Sequence, residues 1–366
     1  MGPQPNDDVD KHVLKRYELQ QKLGKGAYGI VWKAEKKSSK EAVALKKIFD
    51  AFQNATDAQR TFREIVFLQQ MGDHENIVRL HDAFRANNDQ DIYLVFEFME
   101  TDLHAVIRAG ILQDIHKHYI MYQTLKALFY MHSAALVHRD MKPANLLLNS
   151  DCLCKVADFG LARSLLQTQS SGAPVLTDYV ATRWYRAPEI LLGSQEYGCA
   201  VDMWSLGCIF GEMLCGKPIF AGTSTLNQVE KIVEAIGKPN DAEVASQKSP
   251  FAEKMIDSLN VPPGDPRGWA AVCPGSSSEQ LELLEKMMQF DPTKRLTAEE
   301  GLPHNLFVQF YDPENIPRAP RQVWIHLDDN QKQSTSMYRD RLYEEITKRG
   351  FNRKPGLDAA PTGAAG

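Results

Sequence analysis

The chain has 366 residues, of which 43% are hydrophobic and 24% are charged, and its formal net charge at neutral pH is −5. This balance is typical of a globular protein with a sizeable core and excludes fibrous and largely disordered chains. The mild acidity and the absence of a compact Lys/Arg run argue against direct nucleic-acid binding, and no apolar stretch approaches the length that crosses a membrane.

The first hundred residues are predicted to form a small sheet with one helix. From Tyr17 the pattern leads through a glycine-rich turn into an apolar run at 30–34, which predicts a β-hairpin. Residues 41–48 and 91–98 are further β-type runs. Between them, apolar residues in 58–70 have the spacing of one helix.

Helical patterns dominate beyond residue 100. The predicted helices cover 118–134, 200–215, 227–236 and 277–288, and a further helix is predicted at 338–348. Residues 238–275 are rich in Pro, Gly and Ser and are predicted to be an irregular insertion, while 350–366 have the composition of a disordered tail. Six scattered cysteines lack paired zinc-site spacing, which favours a reducing compartment.

The string from Gly24 to Val31 reads G-K-G-A-Y-G-I-V. Glycines without side chains let backbone amides approach phosphate oxygens closely. A dinucleotide-binding fold would need a helix after the third glycine, and here a strand is predicted instead. An ordinary glycine-rich hairpin turn is the alternative when this string is taken alone.

Lys46 lies in the short strand-like string V-A-L-K, where a strand can hold an ammonium against phosphates and Ala44 leaves room for a flat base. Such a lysine needs an anionic partner, and Glu64 on the predicted helix is the candidate. Taken alone, these two residues are more simply interpreted as surface charges.

Three later strings decide the interpretation. They are H-R-D-M-K-P-A-N at 138–145, D-F-G at 158–160 and A-P-E at 187–189. With the glycine string and Lys46 they follow the order of the protein-kinase signature set. Over residues 17–307 the chain therefore resembles eukaryotic protein kinases.

This resemblance implies an α+β, two-lobed fold with a nucleotide bound in the cleft. The N-lobe, about 17–97, would be a small antiparallel sheet with one main helix, and the C-lobe, about 101–307, would be mainly helical. Residues 1–16 would form an N-terminal extension, and 308–349 a C-terminal extension that packs on the domain.

The same resemblance assigns the chemistry. Transfer of a γ-phosphoryl group depends mainly on alignment and on neutralising phosphate charge. Asp140 would orient the substrate hydroxyl and accept its proton, while Asn145 and Asp158 would hold Mg²⁺ through oxygen ligands. Lys142, near the transferred phosphate, indicates Ser/Thr substrates, and Lys46 with Glu64 completes the catalytic set.

ATP is the expected phosphate donor, with Phe96 at the gatekeeper position behind adenine and the segment from Glu97 to Met99 as the hinge. These apolar residues would also be part of the core, since adenine pockets are core surfaces left open. The expected ATP contacts are Leu23, Gly24, Lys25, Gly26, Ala27, Tyr28, Gly29, Val31, Ala44, Lys46, Phe96, Glu97, Met99 and Leu147.

Thr177-Asp178-Tyr179 precedes A-P-E at the distance of the dual-phosphorylation lip of mitogen-activated protein kinases, which the chain resembles here. A phosphate on either Thr177 or Tyr179 adds nearly two negative charges that arginines can bind. The expected partners are Arg63, Arg139 and Arg163 for Thr177, and Arg183 and Arg186 for Tyr179.

Phe96 and the segment 222–228 most resemble the atypical branch of the extracellular-signal-regulated kinases. Asp178 departs from the Glu common in that branch, and 301–305 depart from the usual His-Pro start of the last domain helix.

Asp328 and Asp329 resemble an acidic docking patch, for which an ordinary solvated turn is the alternative. By resemblance, Asp202 would brace the catalytic loop and Glu189 would pair with Arg295.

The family implies protein substrates with Ser/Thr-Pro sites, an upstream dual-specificity kinase, a phosphatase, and a monomer in the cytoplasm and nucleus, with no nucleic-acid or membrane partner. Two alternatives stay open at this stage. A cyclin-dependent-type kinase would need a cyclin-binding helix in place of a phosphorylated tyrosine. A scaffold with the same fold would bind partners without catalysis.

Overall fold

The computed structural model describes residues 9–26, 29–168, 183–194, 196–261 and 265–349. Four predicted site residues, Ala27, Tyr28, Thr177 and Tyr179, and the predicted disordered tail lie outside these ranges. The chain divides into two compact units. The first comprises Met1–Asp73, Arg79–Phe98 and Lys332–Gly366, and the second comprises His74–Val78 and Met99–Gln331.

The strands and helices follow in chain order. The strands are β1 (Tyr17–Gly26), β2 (Gly29–Lys36), β3 (Ala42–Ile48), β4 (Leu80–Arg85), β5 (Ile92–Glu97), β6 (Thr101–Asp102), β7 (Leu136–Val137), β8 (Leu146–Leu148), β9 (Cys154–Val156) and β10 (Arg163–Ser164). The helices are α1 (Lys11–Leu14), α2 (Ala55–Met71), α3 (Leu103–Ala109), α4 (Asp114–Ser133), α5 (Leu165–Thr168), α6 (Pro188–Leu191), α7 (Ala200–Cys215), α8 (Thr225–Ile236), α9 (Asp241–Ser246), α10 (Ala252–Asp257), α11 (Trp269–Val272), α12 (Ser278–Met287), α13 (Ala298–Gly301) and α14 (Thr335–Arg349).

The first unit is built on a five-stranded antiparallel sheet in the order β1-β2-β3-β5-β4. Because side chains alternate along a strand, the sheet has two chemically distinct faces. One face is apolar and buried, with Trp32, Leu45 and Tyr93 at its centre. Val9 and Val13, from the predicted N-terminal extension, complete that core.

Helix α2 begins at an Asn54 cap, whose side-chain oxygen accepts hydrogen bonds from two backbone amides of the first turn. It buries a stripe that includes Phe62 and Ile65. Within the same unit, α14 packs on α2, with the Phe62 and Tyr338 ring centroids 5.7 Å apart. The C-terminal helix thereby contributes to the first unit.

The second unit is mainly helical. Its centre is formed by α4 and α7, and every residue from Val201 to Met213 in α7 is buried. Close packing explains Gly207, where a Cβ would clash with the Met288 side chain. Two small sheets, β6-β8-β9 and β7-β10, support the loops that carry the predicted catalytic residues.

The α+β class with a five-stranded antiparallel sheet and a mainly helical second part is confirmed. The helix at 200–215 has the predicted bounds, and the others shift by one to four residues. Strand β4 was not predicted because it is an edge strand with a largely polar sequence. The predicted irregular insertion at 238–275 instead contains α9, α10 and α11, which are too short to give a clear periodicity.

Candidate active site

One face of the first unit's sheet carries four of the predicted ATP contacts. The register places Val31 opposite Lys46 and Ala44 opposite Phe96. Directly paired residues project to the same face of a sheet, and so do residues two positions apart. Val31, Ala44, Lys46 and Phe96 therefore share the face opposite the apolar core, with Lys46 Nζ 5.9 Å from the Phe96 ring centroid.

Lys46 and Glu64 form the predicted ion pair. Lys46 Nζ lies 3.0 Å from Glu64 Oε1 and 3.3 Å from Oε2. The Glu64 carboxylate is almost buried on α2, whereas the Lys46 side chain retains about a third of its exposure. The pair fixes the direction of an ammonium group that still reaches solvent, as a phosphate-binding lysine requires.

The glycine string forms the ends of β1 and β2. Gly26 pairs with Gly29, and a Cβ at Gly29 would clash with the Lys47 carbonyl oxygen, so only glycine allows this approach. Leu23 is 42% exposed in β1, as an apolar side chain at the edge of a ligand site would be. Lys25 lies in the same strand, which ends just before the two undescribed positions of the string.

In the second unit, Asp140, Lys142 and Asn145 form one hydrogen-bonded cluster. Lys142 Nζ lies 2.6 Å from Asp140 Oδ2. Asn145 Nδ2 donates to the Asp140 carbonyl oxygen at 2.8 Å and to Oδ2 at 3.2 Å. Asp140 is only 7% exposed, so its carboxylate has a fixed direction and a cation beside it.

His138 holds the backbone of this loop. Its Nε2 lies 3.0 Å from the Ala157 carbonyl oxygen, an acceptor, so Nε2 carries the proton. Its Nδ1 then accepts a hydrogen bond from the Asp140 backbone amide at 3.2 Å. Sequence reasoning gave His138 no role of its own, although its place in the H-R-D string was the available signal.

Asp202, in the first turn of α7, braces the same loop as predicted. Its fully buried carboxylate accepts hydrogen bonds from the His138 amide (2.9 Å), the Arg139 amide (2.8 Å) and His132 Nε2 (3.0 Å). Burial alone raises the pKa of the carboxyl, but these bonds and the nearby histidines hold the pKa of Asp202 below its usual value. The catalytic loop is therefore fixed by an ionised group.

Asn145 and Asp158 fit the donor set that Mg²⁺ prefers. The Asn145 amide nitrogen is engaged by Asp140, which leaves its Oδ1 as the atom for a cation. Asp158 has a left-handed backbone with φ of 64°, which costs energy for a non-glycine residue and is common at functional sites. Mg²⁺ that is bound together with substrate phosphates takes one or two protein oxygens and completes its shell with phosphate and water, so no cage is needed. Among the residues that the structure describes, no group of three or more His, Cys, Asp or Glu side chains could hold a metal.

The remaining hinge and adenine residues divide between the units. Glu97 ends β5, and its carboxylate accepts a hydrogen bond from the Arg79 amide at 2.7 Å within the first unit. Met99 and Leu147 belong to the second unit, where Leu147 is a half-buried residue of β8.

The arginines expected to bind phosphate have different environments. Arg63 is buried in α2 of the first unit. In the second unit, Arg139 Nη1 donates to the Leu161 carbonyl oxygen at 3.1 Å, and its guanidinium lies 5.1 Å from the Tyr197 ring centroid. Arg183 Nη1 donates to the Thr223 carbonyl oxygen at 3.1 Å, and Arg186 follows the 3₁₀ turn Arg183–Tyr185.

Arg163 and Asp329 require a correction to the docking hypothesis. Arg163 Nη1 lies 2.6 Å from Asp329 Oδ2, and both side chains are buried. Asp329 is therefore an internal partner of Arg163, and it cannot act as an exposed docking carboxylate in this structure. Asp328 is exposed, and its Oδ1 accepts a hydrogen bond from the Asn330 amide at 3.1 Å.

The predicted pairing of Glu189 with Arg295 is confirmed. Two parallel hydrogen bonds of 2.6 and 2.7 Å join the carboxylate to the guanidinium, and both groups are almost completely buried. Arg295 also donates to the Ala200 carbonyl oxygen at the start of α7. This pair connects the A-P-E segment to the helix that carries Asp202.

Comparisons with known proteins agree with this arrangement. A family model described as the protein kinase domain matches residues 17–307. A protein of Dictyostelium discoideum named extracellular signal-regulated kinase 2 is 59% identical over 346 residues, which cover 94% of this chain and 93% of that protein. Mitogen-activated protein kinase 15 of Xenopus laevis is 53% identical over 349 residues, covering 94% of this chain and 59% of that protein. Extracellular signal-regulated kinase 7 of Drosophila melanogaster is 43% identical over 352 residues, covering 93% of this chain and 38% of that protein.

The chain thus spans nearly the whole length of the Dictyostelium relative but less than two thirds of the Xenopus and Drosophila relatives. Within the described part of the chain, no helix is both long enough and apolar enough to cross a membrane.

Proposed function

The chain belongs to the protein kinase family and, within it, to the mitogen-activated protein kinases of the atypical extracellular-signal-regulated branch, and on this basis we propose how its residues transfer phosphate. It is a Ser/Thr protein kinase of that type. The proposal concerns the role of each residue, the sequence around the modified hydroxyl, and the switch that controls activity.

The Asp140–Lys142–Asn145 cluster is the observation that carries the proposed mechanism. Asp140 accepts the proton of the substrate hydroxyl as that oxygen attacks the γ-phosphorus of ATP. Lys142, 2.6 Å from Asp140, places a positive charge beside the oxygens of the transferring group. Because Asp140 is buried and bonded to Asn145, its carboxylate needs little reorganisation during the reaction.

Lys46 is proposed to bind the α- and β-phosphates, with Glu64 fixing its direction. Asn145 and Asp158 are proposed to hold Mg²⁺, which neutralises charge on the phosphate oxygens when it is bound with ATP. The apolar face at Val31 and Ala44 is proposed to receive the adenine ring. Phe96 would fill the space behind the ring and exclude inhibitors with bulky rear groups.

The proposed substrates are Ser or Thr residues followed by Pro in other proteins. Two peptides that differ only in Pro or Ala after the target Ser test this preference, and a third peptide with Tyr in place of Ser tests the hydroxyl class. Full-length protein with Mg-ATP should phosphorylate the Ser-Pro peptide with the highest kcat/KM. Equal rates on Ser-Pro and Ser-Ala would refute the proline preference, and faster transfer to Tyr would refute the hydroxyl class.

Activation is proposed to follow phosphorylation of Thr177 and Tyr179, with an upstream dual-specificity kinase and a phosphatase as partners. A matched pair of Thr177→Ala and Thr168→Ala variants separates this site from a nearby threonine. Activity should fall only in Thr177→Ala, and mass spectrometry of active protein should find phosphate on both Thr177 and Tyr179. Full activity with Tyr179 unmodified would favour a cyclin-dependent-type kinase. Localisation in the cytoplasm and nucleus is part of the same proposal.

A further inference from the structure

Two cysteines of the second unit lie in direct contact. Cys215 is the last residue of α7, and Cys273 follows α11, 58 positions later in the chain. Their Sγ atoms are 3.0 Å apart and share a hydrogen bond. A disulfide joins two sulfurs at about 2.05 Å, so the sulfurs need to close by only about 1 Å.

The two thiols differ in access. Cys273 is 1% exposed, with its Sγ 3.9 Å from the Gly211 carbonyl oxygen, whereas Cys215 is half-buried at the end of its helix. Cys215 is therefore the more accessible residue of the pair. This asymmetry is that of an attacking thiol with a resolving thiol behind it.

The electrostatics of the pair agree with this division. The hydrogen bond that Cys215 shares with Cys273, reinforced by the charges of Lys217 and Lys117, lowers the pKa of Cys215 against the opposing effect of burial. The same hydrogen bond, together with burial, raises the pKa of Cys273. Cys215 therefore has the lower pKa of the two, and a lower pKa favours the thiolate, the reactive form of cysteine.

The other cysteines lack these features. Burial raises the pKa of Cys152 and Cys208, and it raises the pKa of Cys154 and Cys199 to about 12. A shared metal is also no explanation for the pair, since the described residues contain no group of three or more metal-binding side chains.

We propose that Cys215 and Cys273 form a peroxide-reactive dithiol that hydrogen peroxide converts into an intramolecular disulfide. The Cys215 thiolate attacks one peroxide oxygen, the O–O bond breaks, and the second oxygen leaves as water after it takes a proton. The Cys273 sulfur then attacks the sulfur of the Cys215 sulfenic acid, the S–S bond forms and the S–O bond breaks. The leaving hydroxide takes the proton of the Cys273 thiol and departs as a second water. Two thiols lose two electrons in total, and one peroxide is reduced to two waters.

A small-molecule dithiol reverses the change by thiol–disulfide exchange. The cross-link ties the end of α7 to the junction between α11 and α12. Asp202 lies at the other end of α7, 13 positions and about 20 Å from Cys215. The dithiol is therefore separate from the phosphoryl-transfer residues, and its test does not depend on kinase activity.

Peptide mapping of the full-length protein tests the proposal. Reduced protein is treated with one equivalent of hydrogen peroxide, blocked with N-ethylmaleimide, digested without reductant and analysed by mass spectrometry. The expected product is a Cys215–Cys273 cross-linked peptide whose mass is two hydrogens below the sum of the two thiol peptides. Dithiothreitol should restore both free peptides.

Two serine variants identify the attacking sulfur. With dimedone present, Cys273→Ser should accumulate a sulfenic-acid adduct on Cys215, whereas Cys215→Ser should leave Cys273 unmodified. Cys152→Ser is the matched control, because Cys152 is also half-buried, and this variant should form the cross-link at the wild-type rate. Recovery of both thiols as maleimide adducts in wild type, or oxidation of Cys152 or Cys199 before the pair, would overturn the proposal.

Discussion

Replacing Asp202 with Asn should destabilise the second unit and inactivate the catalytic loop. Oδ2 of Asp202 accepts bonds from His132 Nε2 and the His138 amide, and Oδ1 accepts the Arg139 amide. An Asn side chain has one acceptor oxygen, so its NH₂ must face at least one of these donors. At least one charge-assisted bond is lost and a buried N–H is left without an acceptor, which together cost about 3 kcal/mol in unfolding free energy.

That loss corresponds to a fall in the thermal midpoint of about 6–12 °C for a domain of this size. Asp257→Asn is the matched control, since it makes the same charge change at an exposed side chain and should shift stability by less than about 0.5 kcal/mol. Calorimetry gives the midpoint, and a peptide phosphorylation assay gives the rate. A change below about 1 kcal/mol with full activity would refute the view that Asp202 holds the loop.

The pH dependence of the same variant gives a second check. Because the folded pKa of Asp202 is lowered, its contribution to stability is present above the unfolded pKa of about 3.9 and is lost as pH falls through the lower, folded pKa. The stability difference between wild type and Asp202→Asn should therefore be largest near neutral pH and shrink in strong acid. A difference that grew on acidification would contradict the assignment of an ionised carboxylate.

Three further outcomes are expected. Lys46→Met should lower kcat/KM for peptide phosphorylation by about 10²–10³-fold. Lys47→Met changes a lysine on the other face of β3 and, once folding is verified, should keep most of the wild-type kcat/KM. Equal losses in the two variants would contradict the role of Lys46 in binding phosphate. Asp329→Asn should cost about 3–5 kcal/mol in unfolding free energy by denaturant titration, because it removes the buried carboxylate that neutralises the charge of Arg163. Asp328→Asn should cost almost nothing. Similar small effects in both variants would return both residues to the exposed-patch hypothesis. Burial lowers the pKa of His74 to about 4, whereas a histidine in the unfolded chain is protonated below about 6.5. The unfolded state therefore binds more protons than the folded state between these two values, and the free energy of unfolding should fall as pH drops from about 6.5 to about 4. His74→Gln should flatten this dependence on pH, and an unchanged slope in the variant would refute the assignment.

Local chemistry in the sequence was sufficient to predict the elements that carry the motifs. The glycine string and the V-A-L-K string predicted paired strands, and the register brings Val31, Ala44 and Lys46 to one sheet face. Glu64 was the candidate partner of Lys46 because an isolated ammonium needs a counter-charge, but the two residues alone favoured surface charges, and the resemblance was needed to predict the pair. Resemblance, and not spacing, supplied the Glu189–Arg295 pair.

Long-range burial could not be predicted in this way. Asp328 and Asp329 have the same charge and adjacent positions, and only the fold decides that the second is buried against Arg163, 166 positions away. The Cys215–Cys273 contact likewise joins residues whose spacing matches no motif. Strand β4 is hidden from pattern analysis because an edge strand needs fewer apolar side chains than a central one.

The central claim is that the protein transfers phosphate and that Asp140 activates the receiving hydroxyl. Its most direct test is the single-turnover rate of phosphate transfer from Mg-ATP to a Ser-Pro peptide, measured for wild type, Asp140→Asn and the exposed control Asp151→Asn. We expect Asp140→Asn to be slower by about 10²–10⁴-fold with unchanged ATP binding, and Asp151→Asn to match wild type. Wild-type protein that carries phosphate on Thr177 and Tyr179 and still shows no measurable transfer would indicate a silent scaffold, and an Asp140→Asn rate equal to wild type would contradict the mechanism.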